Sequence, residues 1–369
     1  MYKVILISVI FLGLALLGRA IIHNDPQVKK VFRENPSSPE AKSQSPTPKV
    51  KLISTPPRKV LDGGTHVFQT FNNCGPASLS MALSYFGMHI SQDELGQELR
   101  PYQNPEGNND DKSVTFEEMA KKAEEYGLTA YHRPNGTIEL LKLFITYDMP
   151  VITRTTTTPV EDVGHYRVVK GYDEGSRTLS QDDSLQGRSL QYSYDEFDTL
   201  WQRFNYEYVV LVPMEKKEIA ETILGGEADF KTSWANAVKN AEQQLGKNPN
   251  DIYARFNLSV ALYHVGEYKR SVAEFEKVES MLPFRTLWYQ IEPIQAYFKL
   301  GDFQKVLGMT EGILNNSNRA FSELYLIRGE TYRKMGQDGH AISEFEKAYF
   351  YNQNLISAKK ALESARRNP

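Results

Sequence analysis

Apolar positions in this chain follow several different spacings, and the changes of spacing divide it. Val4 to Leu17 is an unbroken apolar run behind Lys3, and residues 24–58 show no apolar period at all. Further on, Ala77, Leu79, Ala82, Leu83 and Phe86 recur at helical spacing, with Pro76 in the first turn and Gly87 as the stop. Ser91 with Glu94, and Thr115 with Glu118, have the spacing of capping boxes and predict two more helices, the second closed by Gly127. The stretch "IELLKLFITYDMP" predicts a short helix stopped before Pro150. Residues 151–155, 165–172, 177–181 and 206–212 then turn to β-branched and aromatic composition, with a helix at "YDEFDTLWQRF" between the last two. Helices followed by an antiparallel sheet predict an α+β domain over 60–214.

From Lys231 to the end every signal is helical, and a period appears. Gly266, Gly301 and Gly336 are 35 residues apart, as are Ser271, Val306 and Ala341. Around the first glycine, Leu258, Ala261, Tyr268, Phe275 and Pro283 fall at the spacings of tetratricopeptide repeats, and the third unit matches as well. In the middle unit Pro293 falls inside the expected first helix, and Thr310 replaces an aromatic. Residues 231–369 therefore resemble an all-α tetratricopeptide (TPR) solenoid, with a lone helix before the array and a polar capping helix after it. Such arrays imply a concave surface for a peptide or protein partner; a rigid spacer or a dimerisation module is the plainer alternative. Residues 215–230 are the expected interdomain linker, with Gly225-Gly226 as a turn or hinge.

Composition adds limits. A net charge of −3 gives no electrostatic reason to expect nucleic acid. One cysteine excludes an internal disulfide, and the seven histidines fall in no metal-ligand spacing, so neither cofactor nor metal is expected. Residues 1–23 fit a signal peptide or an uncleaved signal anchor. Residues 24–58 hold seven of the 18 prolines and form a flexible tether. The expectation is an extracytoplasmic protein, secreted or membrane-anchored by its N-terminal segment.

Export makes a solitary cysteine a reactive-thiol candidate. Cys74 falls at a helix start, where unpaired amides and the helix dipole favour a thiolate. His165 opens a strand after Gly164, and Asp182 and Asp183 end the next one. A thiolate, an imidazole and a polar group to orient it are the set that cysteine hydrolases need. Gln69, five residues before Cys74, is placed to join the Cys74 N–H as an oxyanion donor.

Gln69, the Asn-Cys74-Gly-Pro segment, "GHYRVVKGYD" and "DSLQG" together resemble the papain-like cysteine peptidases related to bacteriocin double-glycine leader peptidases, over roughly residues 64–214. The resemblance implies Cys74 as nucleophile, His165 as general acid and base, Asp183 as orienter and Gln69 as oxyanion donor, acting on a protein or peptide. Three departures stand out. Ser184 replaces the usual proline, Asp182 competes with Asp183 for the orienting role, and Arg167 and Lys170 interrupt an apolar strand, which suggests an open or partner-facing sheet. No transporter-like segment follows. The expected function is an exported cysteine peptidase whose array recruits a partner or substrate. The alternatives are a catalytically silent scaffold and a cysteine amidase or acyltransferase acting on a non-peptide substrate.

Overall fold

The alternating segments assemble into one antiparallel sheet in the computed structural model, which describes residues 50–103 and 112–367. The apolar segment 1–23 and most of the tether lie outside the described residues. Among the described residues no helix is long and apolar enough to cross a membrane.

In chain order the first domain runs β1 (Arg58–Val60), α1 (Cys74–Ser84), α2 (Gln92–Leu99), α3 (Phe116–Glu125), β2 (Thr129–Arg133), α4 (Ile138–Thr146), β3 (Val151–Thr156), β4 (Gly164–Asp173), β5 (Thr178–Asp183), β6 (Gly187–Ser193), α5 (Tyr194–Gln202) and β7 (Tyr208–Val212). The sheet order is β2-β7-β3-β4-β5-β6, and β1 pairs with the far end of β4. There a Cβ on Gly171 would lie 2.8 Å from the Val60 side chain, so glycine is required for β1 to dock. Alternation gives each sheet face its own core. Val209 and Leu211 pack with Leu79, Leu83, Phe116 and Met119 of α1 and α3. Val210 and Val212 pack with Phe144, Phe197 and Trp201 of α4 and α5. Thr115 and Glu118 form the expected reciprocal capping box. Ser91 accepts from the Glu94 N–H at 3.1 Å.

The segment expected as a linker is itself structured. Helix α6 (Lys217–Leu224) buries Ala220, Ile223 and Leu224 in the core on the α4–α5 face of the sheet.

The helical part follows as α7 (Phe230–Lys247), α8 (Ile252–His264), α9 (Tyr268–Glu276), α10 (Thr286–Tyr289), α11 (Glu292–Leu300), α12 (Phe303–Leu314), α13 (Ser322–Lys334), α14 (Asp338–Tyr351) and α15 (Ile356–Arg367). Gly266, Gly301 and Gly336 take φ of 84°, 80° and 71°, left-handed turns that reverse the chain inside each of three helix pairs. Pro293 departs from expectation. It sits in the first turn of α11, where its missing N–H costs nothing, rather than inside a helix. The chain upstream of it forms the separate short helix α10.

The array packs on the sheet domain. Asn205 and Gln202 exchange hydrogen bonds with Asn257 of α8, at 3.0 and 2.6 Å. Gln202 also donates to Gln244 and Asp251, both at 3.0 Å. Farther along, buried Lys112 pairs with Glu118 at 2.7 Å and with Glu323 of α13. Asn354 donates to the Glu98 carbonyl at 2.8 Å.

Candidate active site

Cys74 is the first residue of α1 and is partly exposed. The turn before it is held from both ends of α2. At the start of α2, Gln92 donates to the Phe68 carbonyl at 2.7 Å and accepts from the Thr70 N–H at 2.9 Å. Just past its end, buried Arg100 donates to Asn73 Oδ1 at 2.7 Å. Asn73 is the N-cap of α1, yet its side chain binds Arg100 and Thr70 instead of capping. The first-turn amides of α1, that of Cys74 included, have no acceptor within the helix.

His165 is the second residue of β4 and Asp183 the last of β5; both are buried. His165 Nε2 meets Asp183 Oδ1 at 2.7 Å. The same oxygen accepts from the Leu185 and Gln186 N–H groups at 2.7 and 2.8 Å, while Oδ2 accepts from Arg167 Nε at 2.8 Å. Burial opposes the Asp183 charge. The His165 hydrogen bond and charge, then Arg167, outweigh it and hold the carboxyl far below the usual carboxylate range.

Asp182, the competing candidate, points the other way, as strand alternation requires. It pairs with Lys170 at 2.6 Å and accepts from the Ser189 N–H at 2.9 Å. The structure thus brings Asp183, not Asp182, to His165. It also corrects the reading of Arg167 and Lys170 as signs of an open sheet. Both are buried, each neutralised by one of the two consecutive aspartates of the neighbouring strand. Arg167 stands opposite Asp183 in the β4–β5 register and also donates to the Thr156 and Thr157 carbonyls, at 3.0 Å each.

The Cys74 thiol lies close enough to the His165 ring and the Tyr166 N–H for both to favour its charged form. With Nε2 engaged by Asp183, Nδ1 is the ring nitrogen left for the thiol. Burial alone would raise the thiol. The His165 hydrogen bond and charge, the Tyr166 N–H and the Arg100 charge bring it below its ordinary value instead. Burial likewise works against the His165 charge, but Asp183 and Cys74 lift the imidazole to about 9. Both shifts favour the thiolate–imidazolium form of the pair.

Gln69 lies beside Ser184. Its N–H donates to the Ser184 carbonyl, and its Oε1 accepts from Ser184 Oγ, both at 2.8 Å. This orients the side-chain amide and leaves its Nε2 end for another acceptor. Ser184, noticed only as a missing proline, thus supplies a handle on Gln69. Arg167 and Arg100 are further contributors that sequence did not reveal. Their role depends on cross-strand and loop partners with no local signature. Exposed apolar side chains flank the site on the same loops: Phe68 and Phe71, Val160 and Val163, and Leu185. Among the described residues no group of three or more His, Cys, Asp or Glu is placed to hold a metal ion.

No curated protein matches the chain. A C39-like peptidase from Bacillus anthracis is similar at 18% identity and a TM-score of 0.35, over 42% of this chain and 97% of that one. The peptidase domain of Streptococcus ComA, a bifunctional ABC transporter of a quorum-sensing pathway, is similar at 20% identity and a TM-score of 0.32, over 42% and 100%. MamA from Desulfovibrio magneticus is similar at 20% identity and a TM-score of 0.32, over 37% and 81%. Residues 56–209, which carry the whole Cys74–His165–Asp183 arrangement, match the model of the Peptidase_C39 like family.

Proposed function

We propose that this protein hydrolyses peptide bonds by thiol catalysis. One observation carries the reading: Asp183 holds the His165 ring at 2.7 Å, and His165 lies beside Cys74 and lowers its thiol. In the first step the Cys74 thiolate attacks a substrate carbonyl and forms a C–S bond. The resulting oxyanion is held by the Cys74 N–H at the helix start and by the Gln69 amide. His165 gives its Nδ1 proton to the departing amine as the C–N bond breaks. Neutral His165 then takes a proton from water, whose oxygen attacks the thioester. The C–S bond breaks, releasing the acid and restoring the ion pair. Asp183 remains ionised throughout and keeps Nδ1 aimed at sulfur, itself fixed by Arg167.

The apolar side chains on the site loops favour substrates presenting apolar residues near the scissile bond. Export, membrane anchoring through residues 1–23 and partner binding by the array belong to the same proposal, supported by the sequence signals given above.

The test is digestion of a denatured protein mixture, followed by mass spectrometry of new termini. New termini should appear with the wild-type chain and fall by on the order of 10⁴ or more with Cys74→Ala. Gln69→Ala should cost about 10²–10³. A reactive Cys74 that yields no new termini would move the reading to a non-peptide acyl substrate. An unreactive one would leave a scaffold.

A further inference from the structure

We propose that Tyr289, carried by the helical array, is a positioning residue for His165, so that the array builds part of the cleft itself. The proposal rests on the thiol-catalysis reading above and adds a role for the second half of the chain.

The residue before His165 is held from the array side. A Cβ on Gly164 would lie 3.0 Å from two ring carbons of Tyr289 and 3.1 Å from the Phe204 ring. Gly164 is thus clasped between two aromatic rings, which themselves meet edge to face with centroids 5.8 Å apart. The Gly164 N–H also lies near enough to the Tyr289 hydroxyl to lower it against its burial. A Cβ here would press on both rings, and one of the two comes from α10 of the array.

The loop leading into Gly164 is tied to the same place. Arg285 Nη1 pairs with Asp162 Oδ1 at 2.5 Å, and the Arg285 N–H donates to Oδ2 at 3.1 Å. Arg203 donates to the Pro159 and Glu161 carbonyls, at 2.5 and 3.1 Å, while lying over the Tyr253 ring of α8. The Arg203 carbonyl in turn accepts from Gln290, the residue after Tyr289, at 3.1 Å. The backbone that aims His165 at Cys74 is therefore braced by α8 and α10. A displacement of about 1 Å at this point is enough to cost two orders of magnitude in a positioned reaction.

The experiment is iodoacetamide alkylation of Cys74 across pH in the full chain, comparing wild type, Tyr289→Phe, Tyr289→Ala and His165→Ala. Circular dichroism and thermal unfolding report the fold of each. Tyr289→Ala should raise the apparent thiol pKa by about one unit, which slows alkylation about tenfold at pH 6. Tyr289→Phe, which keeps the ring but removes the hydroxyl beside the Gly164 N–H, should fall between it and wild type. A packing role alone would lower the unfolding temperature and leave the pH profile in place. Folded Tyr289 variants that both alkylate with the wild-type profile would overturn the proposal while leaving the catalytic reading intact. If Tyr289→Ala does not fold, an unchanged profile in Tyr289→Phe overturns it alone. A wild-type Cys74 that titrates like a free thiol would instead remove the catalytic reading, and this one with it.

Discussion

The third helix pair of the array and the middle pair share a period and a turn but are packed in opposite senses. In the third pair α13 is a continuous helix, and Gly329 admits the Phe345 ring where a Cβ would be 2.4 Å away. In the middle pair the positions 35 residues earlier hold Ile294 and Thr310, so the large and small residues change places. Thr310 is buried, donates to the Val306 carbonyl and accepts from Arg328 at 3.1 Å, where the third pair carries the Phe345 ring. Its first helix is also broken, leaving α10 free to lie against β4. Regularity is kept where a repeat meets another repeat. It is lost in the middle pair, where the repeat meets the cleft, and that departure marks one of several places where the two halves of the molecule are joined.

The comparison can be broken at single positions. Ile294→Ala should cost about 2–5 kcal/mol, by lost burial and the cavity left behind. Gly329→Ala should cost about 1–3 kcal/mol by forcing the Phe345 ring aside. Both are checked by chemical denaturation. Equal, negligible losses would mean that the two pairs are not tightly packed in either sense. Gly329→Ala should leave Cys74 alkylation unchanged, because its effect is confined to the third pair. Asp162→Asn should show the reverse pattern. The Asp162–Arg285 pair is partly solvated, so its stability loss stays within about 1 kcal/mol, but the loop before His165 loosens and alkylation slows.

Much of the site was legible because its chemistry is tied to local signals. Cys74 at a helix start, His165 after a glycine and an aspartate ending the next strand each carry a local mark. The α+β layout followed from alternation, and the array from its period. Three strands escaped notice for a physical reason. β1 has three residues beside prolines, β2 is only partly buried, and β6 is an edge strand with mostly exposed or half-buried positions. None has a clean apolar face. Arg167 and Lys170 were misread because a charge in a strand looks exposed until its cross-strand partner is known. Tyr289 gives no signal at all, since it meets Gly164 only through the docking of the array.

The pH behaviour follows from the same geometry. His165 is raised to about 9 in the folded chain, above its ordinary 6.5. Its contribution to stability is therefore complete below about pH 6.5 and is lost as pH rises through about 9. Asp183 is depressed, so its contribution is present above the ordinary carboxylate range and lost as pH falls below it. Peptide hydrolysis should decline above about pH 9, where the imidazolium that protonates the leaving amine is gone.

The central claim is that Cys74 rests as a thiolate because His165 is paired with it. The most direct measurement is the rate of Cys74 alkylation by iodoacetamide as a function of pH, in the wild-type chain and in His165→Ala. The account predicts a wild-type thiol that reacts well below the pH at which a free cysteine does, and a return to ordinary thiol titration in His165→Ala. Two superimposable profiles, both those of a free thiol, would contradict it.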